Sequence, residues 1–191
     1  MSESFITQTL HFAKPGPANT RATLEHAARR ARELGLKKIV LATCTGRTAK
    51  EALDFFDPHD FTLIAVSHVT GFKKPDHQTL DESVRQELID RGFKVITATH
   101  AFGGVGRGVR VKLGSFQVDE IMAFTLRLLG QGVKVGVEMA YMAADQGLVR
   151  TDEDVLTIAG TGRGADTALV LQPAHSANCL ELKVREVVAK P

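Results

Sequence analysis

The apolar pattern of this chain changes period several times, and that alternation limits its fold more than any other feature. Short continuous apolar runs, such as Ile39–Ala42 and Phe61–Ser67, are separated by stretches in which apolar residues recur at helical spacing. Strands that are apolar on both sides, alternating with helices, predict an α/β fold: a mainly parallel sheet with helices on both faces, three layers in all. At 191 residues, 43% of them hydrophobic, the chain can bury a full core, and one domain over residues 1–191 is expected.

Phe5–Phe12 reads as a first strand, stopped by Lys14-Pro15-Gly16-Pro17. A helix follows, with Asn19 or Thr20 as its cap, Leu24, Ala27, Ala28, Ala31 and Leu34 as its apolar face, and Gly35 as its stop. After the strand at residues 39–42 come a short helix at Thr48–Phe56, the strand Phe61–Ser67, a helix marked by Leu80, Val84 and Leu88 and ended by Gly92, and the strand Phe93–Thr99. Each strand hands over to a polar or Gly-rich loop: Thr43–Arg47, His68–His77 and His100–Gly114. In an open parallel sheet the strand C-termini face one crevice, where ligands bind, so the three loops are expected to share that edge. The clearest helix is Ser115–Leu129, with Val118, Ile121, Met122, Thr125, Leu128 and Leu129 on one face; Val133–Gln146, apolar nearly all round, reads as a covered central helix. Val155–Ala159, Thr167–Leu171 and Leu180–Val188 are the closing strands.

Lys plus Arg number 24 against 22 Asp plus Glu, a net charge of +2, too balanced to predict a nucleic-acid surface; an anion has to be recognised locally. The longest charge-free stretch, Thr167–Leu180, is interrupted by Gln172, Pro173, His175 and Asn178, so no membrane span is expected. The start, MSESFITQTLHF, lacks the basic flank and apolar run of a secretory leader, which predicts a cytoplasmic location. Cys44 and Cys179 form no CxxC pair and no HxxxH spacing occurs, so neither a disulfide framework nor a metal site is expected. An edge strand and apolar helices leave a homo-oligomer open.

The segment Thr43-Cys44-Thr45-Gly46-Arg47-Thr48 joins a buried strand to a helix start. Free N–H groups, the positive end of the helix dipole and several hydroxyls would converge there on a phosphate, with Gly46 letting the backbone approach and Arg47 adding charge. An ordinary Thr-capped helix is the competing reading, and the lysine of a Walker A loop is absent. Cys44, at a helix start, is either a reactive thiol or a small lining residue; the latter is favoured because no histidine lies near it in sequence. Gly160-Thr161-Gly162-Arg163-Gly164-Ala165 matches GxGxxA, but a strand rather than a helix follows, which rejects a nicotinamide dinucleotide fingerprint and leaves a tight turn or a close approach to a ligand. Gly103–Lys112, with four glycines and three cations, reads as a solvated loop or as a lid that brings Arg107 or Arg110 to a phosphate. Glu138, Tyr141 and Asp145 share one helical stripe, either as structural pairs or, for Glu138, as a polar group lining a pocket; His175 is a similar case. No catalytic set of nucleophile and base is legible.

Taken together, Lys14-Pro15-Gly16 with Asn19-Thr20, Ile39–Ala49 (IVLATCTGRTA), Thr70-Gly71-Phe72, Met142–Asp145, Arg163–Ala168 and Pro173-Ala174-His175 resemble the stand-alone relatives of the pyruvate kinase C-terminal α/β domain. The resemblance covers nearly the whole chain and departs at Cys44, where a small residue such as serine is usual. It implies that Thr43, Thr45, Gly46 and Thr48 hold a phosphate, as the similar loop of full-length pyruvate kinases holds a phosphate of the sugar effector. It also implies that Thr70, Gly71, Arg163, Gly164, Asp166 and Thr167 approach the ligand, and that the ligand is flavin mononucleotide (FMN). The catalytic barrel of pyruvate kinase has no counterpart in this sequence, so the expected role is an FMN-binding protein, not a pyruvate kinase. The alternatives are an FMN-dependent oxidoreductase and a module that senses a sugar phosphate.

Overall fold

The structure, a computed structural model, describes residues 4–191; Met1, Ser2 and Glu3, part of the start read against a secretory leader, lie outside the described residues. Seven strands, β1 (Leu10–His11), β2 (Lys38–Ala42), β3 (Thr62–Ser67), β4 (Phe93–Thr97), β5 (Val155–Ala159), β6 (Thr167–Gln172) and β7 (Lys183–Lys190), form one sheet in the order β1-β7-β6-β5-β2-β3-β4. Six α-helices accompany them: α1 (Thr20–Glu33), α2 (Arg47–Ala52), α3 (Glu82–Asp90), α4 (Val105–Leu113), α5 (Val118–Arg127) and α6 (Gln131–Asp145).

The continuous apolar runs behave as strands buried on two sides. Ile39 and Leu41 of β2, with Leu63 and Ala65 of β3, face a core built with Leu24, Ala27, Ala28 and Ala31 of α1 and Leu88 of α3. Val40, Ile64 and Val66 face the opposite core, filled by Val137, Ala140 and Ala144 of α6. Strands β2, β3, β4 and β5 run parallel, with Val40 level with Ile64 and Leu41 level with Ile158. Strands β5, β6 and β7 pair antiparallel, so the Gly160–Asp166 segment is a hairpin connection and no helix opens after β5. The fold is therefore α/β, with a mostly parallel sheet between helices.

Several expected boundaries are corrected. The first strand is Leu10–His11 and not Phe5–Phe12: Phe5 and Ile6 are exposed, and the ladder with β7 pairs Leu10 with Ala189 and His11 with Lys190. Helix α2 stops at Ala52 rather than Phe56, because the amides of Leu53, Asp54 and Phe55 close tight turns and Phe56 drops into the core against Phe61. The final strand starts at Lys183, after a 3-10 segment at Ser176–Glu181. The largest correction concerns Gly103–Lys112, which is not a loop: residues 105–113 form α4, ended by Gly114 in the left-handed region. Gly106 counted against a helix, but within α4 it lets the Asp119 carboxylate of α5 lie close, where a Cβ would stand 2.3 Å from it. The apolar face expected on residues 115–129 also turns outward in part: Ala123 is buried, while Val118, Ile121 and Leu128 are exposed. Among the described residues no helix is long and apolar enough to cross a membrane.

Candidate functional site

Strand β2 lies between β5 and β3, and the chain connections run away from that point in opposite directions, which opens a crevice at the strand C-termini. The loops after β2 and β5 face each other across a cavity of about 550 Å³ lined by Thr43, Cys44, Thr45, Arg47 and Thr48 on one side and Gly160, Gly162, Arg163 and Gly164 on the other. His68 and Lys73, from the loop after β3, also line it. Gly46 turns the chain from β2 into α2 with φ 83°, and a Cβ on it would lie 2.3 Å from Val84 Cγ1, so both conformation and space demand glycine. No side chain caps the first turn of α2, and its early amides keep their hydrogen-bonding capacity. The Thr43 amide donates to Val66 O at 2.9 Å, while its hydroxyl is buried without a partner. A buried orphan hydroxyl is costly unless another group completes it, and Thr43 is one of the residues that line the cavity.

A smaller compartment of about 150 Å³ shares Thr43, Cys44 and His68 with the first and continues it toward α6. Its lining includes Phe72, His100, Arg107, Arg127, Lys134 and Glu138. His68 stacks on Phe72 with ring centroids 4.2 Å apart, and the Arg107 guanidinium lies over Phe72 at 5.2 Å. On α6, Lys134 and Glu138 form a buried ion pair one turn apart, and Glu138 Oε1 also accepts the Phe102 amide at 3.0 Å. Burial pushes the Lys134 ammonium below the ordinary lysine range, against the pull of Glu138. The two compartments together present Arg47, Lys73, Arg163, Arg107, Arg127 and Lys134 against one carboxylate, Glu138. A nearly neutral chain has gathered its cations locally, in a cleft suited to a multiply charged anion.

Cys44 does have a histidine beside it: His68 Nε2 lies 3.4 Å from Sγ, brought there by the pairing of β2 with β3. Burial raises the thiol pKa and lowers that of the imidazole, so both are neutral near pH 7 and the pair is not a thiolate–imidazolium couple. His100 accepts the Val69 amide through Nε2 at 3.3 Å, and burial lowers its pKa to about 4, with His68, Lys134 and Arg107 acting in the same direction and Glu138 opposing. Above pH 6.5 His100 is neutral whether the chain is folded or not. Between about 6.5 and about 4 the unfolded chain takes up its proton first, so stability falls with pH across that window and levels off below it. Discounted for partial exposure, the loss is on the order of 2 kcal/mol. Urea unfolding at pH 7 and pH 4.5 checks this: the difference should shrink in His100→Gln.

Not every expected site residue reaches the cleft. Thr70 and Gly71 sit on the exposed loop after β3, where the Thr70 hydroxyl accepts a hydrogen bond from Gln78 Nε2 at 3.3 Å. Asp166 and Thr167 are buried and point into the protein: Asp166 accepts the amides of Gly16 at 2.9 Å and Thr161 at 3.1 Å and the Thr167 hydroxyl at 2.8 Å. His175 is exposed, 3.3 Å from Asp145, and lines a different surface hollow. Arg110 pairs with Glu120 at 2.7 Å, so of the two arginines proposed for α4 only Arg107 faces the cleft. The stripe on α6 also separates: Glu138 turns to the cleft, Tyr141 donates to Cys179 O at 2.7 Å, and Asp145 accepts the Ser176 amide at 3.0 Å. The residues that sequence reading missed, His68, Phe72, Lys73, His100, Arg127 and Lys134, include two with a positional signal, since His68 and His100 lie just past the ends of β3 and β4. Among the described residues no group of three His, Cys, Asp or Glu side chains is placed to hold a metal ion.

The pyruvate kinase alpha/beta domain model matches residues 21–171. Among solved structures, the pyruvate kinase of Cryptosporidium parvum in complex with ADP is 18% identical, with a TM-score of 0.41, over 94% of this chain and 25% of that one. A second structure of pyruvate kinase from that organism is 16% identical, with a TM-score of 0.38, over 93% of this chain and 23% of the other. The chain thus spans about a quarter of the length of these enzymes. Because the matched segment runs from within α1 to within β6 and takes in both loops that face each other across the crevice, the chain belongs to the pyruvate kinase alpha/beta domain family.

Proposed function

We propose that this protein binds a phosphorylated small molecule in the cleft, with the phosphate on the Thr43–Thr48 loop and the rest of the ligand extending toward Phe72 and α6. The observation that carries this reading is the unpartnered, buried hydroxyl of Thr43, a residue that lines a cavity rich in cations. FMN is the ligand the reading favours. Its phosphate suits the Thr43, Thr45 and Thr48 hydroxyls with Arg47 and Arg163, and a cavity of about 550 Å³ is within the range that small ligands and cofactors use. The lining of Phe72, Met139, Met142 and Val135 beside Glu138 and Lys134 offers a flat ring an apolar wall with polar groups at one end. When bound, FMN would supply redox chemistry, and the residues named here would hold and orient it.

One observation favours a second reading, a sugar bisphosphate sensed without chemistry. Six cations are more than one phosphate, with at most two negative charges, requires. Calorimetric titration with FMN, riboflavin and a sugar bisphosphate separates the two. FMN binding at least about a hundredfold tighter than riboflavin is expected, since the phosphate takes several charge-assisted hydrogen bonds; equal affinities would overturn the phosphate cup. Binding of the bisphosphate alone would establish the second reading. Thr43→Val is expected to weaken phosphate-ligand binding about tenfold while leaving the unfolding midpoint unchanged or slightly raised, because it removes a hydroxyl that the free protein leaves unpaired.

A further inference from the structure

His68 stands where the two compartments of the cleft meet and lines both. Its backbone carbonyl accepts from Gln78 Nε2 at 3.0 Å and its ring stacks on Phe72, so the side chain is held in place. Nε2 faces Cys44 Sγ at 3.4 Å, and a thiol donates or accepts there. Nδ1 is buried and has no partner. His100, with its ring centroid 5.5 Å away, differs in one respect: its Nε2 already accepts the Val69 amide. A second proton on His100 would strand that amide. On His68 it leaves every existing contact in place, with Nε2–H donating to the sulfur. Of the two imidazoles in the cleft, His68 is the one whose bonding accommodates both charge states.

The surroundings of His68 keep it neutral in the free protein. Its side chain is half-buried, and burial followed by Lys73 on its own loop lowers its pKa; Glu138 of α6 opposes them and Arg107 of α4 adds to them. Lys134 of α6 and Arg127 of α5 line the same compartment, and the Cys44 thiol, from the loop after β2, is uncharged. A phosphate monoester brings up to two negative charges into this set of cations. It offsets the repulsion that keeps a further positive charge away from the ring. We propose that ligand binding in the cleft takes up as much as one proton from solvent and that His68 receives it, an inference that rests on the reading of the ligand as phosphorylated. The cleft then matches its charge to its occupant: an imidazole when empty, an imidazolium when a dianion is bound. Affinity for the phosphorylated ligand therefore rises as pH falls through neutrality, since the bound state holds the extra proton. A ligand without the phosphate gains nothing from the same change.

Calorimetric titration in buffers of different ionisation enthalpy counts the protons and tests the proposal. At about pH 7.5 a phosphate monoester, with its second pKa near 6, is already a dianion and contributes little itself. With FMN, or with a sugar bisphosphate if that is what binds, the wild type should take up between about half and one proton per ligand, and His68→Asn about none. Wild-type affinity should rise by up to about tenfold per pH unit on going from about pH 8 to about pH 7, a slope that the variant loses. Ring nitrogen chemical shifts of the wild-type histidines stand even if the variant fails to fold. The imidazole in contact with Phe72 and Cys44 should pass from the neutral to the doubly protonated pattern when ligand is added. Binding heat independent of the buffer, uptake that persists in His68→Asn because Lys134 is the acceptor, or a His68 ring that stays neutral would each overturn the inference and leave phosphate binding standing. Failure of both ligands to bind would overturn the proposed function and this inference with it.

Discussion

Asp166→Ala is expected to remove about 4 kcal/mol of stability, a large share of what a domain of this size possesses. The carboxylate is fully buried and accepts from Gly16, Thr161 and Thr167, three donors that would all be left without partners. Around it the chain is tied tightly: Thr20 Oγ1 donates to Pro17 O at 2.7 Å and accepts the Ala165 amide at 3.0 Å. The Lys14–Thr20 and Arg163–Ala168 motifs are therefore two halves of one structural knot, which fixes the hairpin that presents Arg163 and Gly164 to the cleft. Thermal unfolding checks the prediction. A fall in Tm on the order of 10 °C is expected; a shift of only a degree or two would mean that water replaces the carboxylate.

Glu138→Ala is the second large effect, about 3–5 kcal/mol, because it strands the Lys134 ammonium in the interior and leaves the Phe102 amide unpaired. The ion pair itself contributes far less than its loss suggests. Replacing both partners, Lys134→Met with Glu138→Leu, is expected to restore stability to within about 2 kcal/mol of the wild type, since two desolvation costs vanish together. The two properties then separate: the double variant should fold and still bind the phosphorylated ligand more weakly, because Lys134 faces the cleft. Denaturant unfolding and ligand titration on the three proteins give the test. A double variant with wild-type affinity would remove Lys134 from the site.

The cleft explains why this arrangement is worth its cost to the fold. Burial, with Arg127 and Arg107 nearby, works against the Lys134 ammonium, and the Glu138 carboxylate at the next turn supports it. Under the proposed function, an incoming phosphate would offset that repulsion.

What the amino-acid sequence determined by itself was local: where apolar runs make covered strands, where spacing makes helices, and where glycine and polar residues end them. From those followed the layer order and the position of the Thr43–Thr48 loop at the strand C-termini, since parallel strands put their following loops on one edge. What only the tertiary structure decided was direction and company. Asp166 turned inward to bond Gly16, 150 positions away, and Cys44 met His68 through strand pairing, neither of which leaves a trace in nearby spacing. Helix α4 was hidden by its glycines, of which Gly106 lies against Asp119 of another helix. The convergence of Arg107 from α4 and Lys134 from α6 beside His68 and His100 is likewise a product of packing. Side chains far apart in the chain acquire a shared chemistry only when the layers close over them, because burial and mutual distance set their charge states and residue order does not.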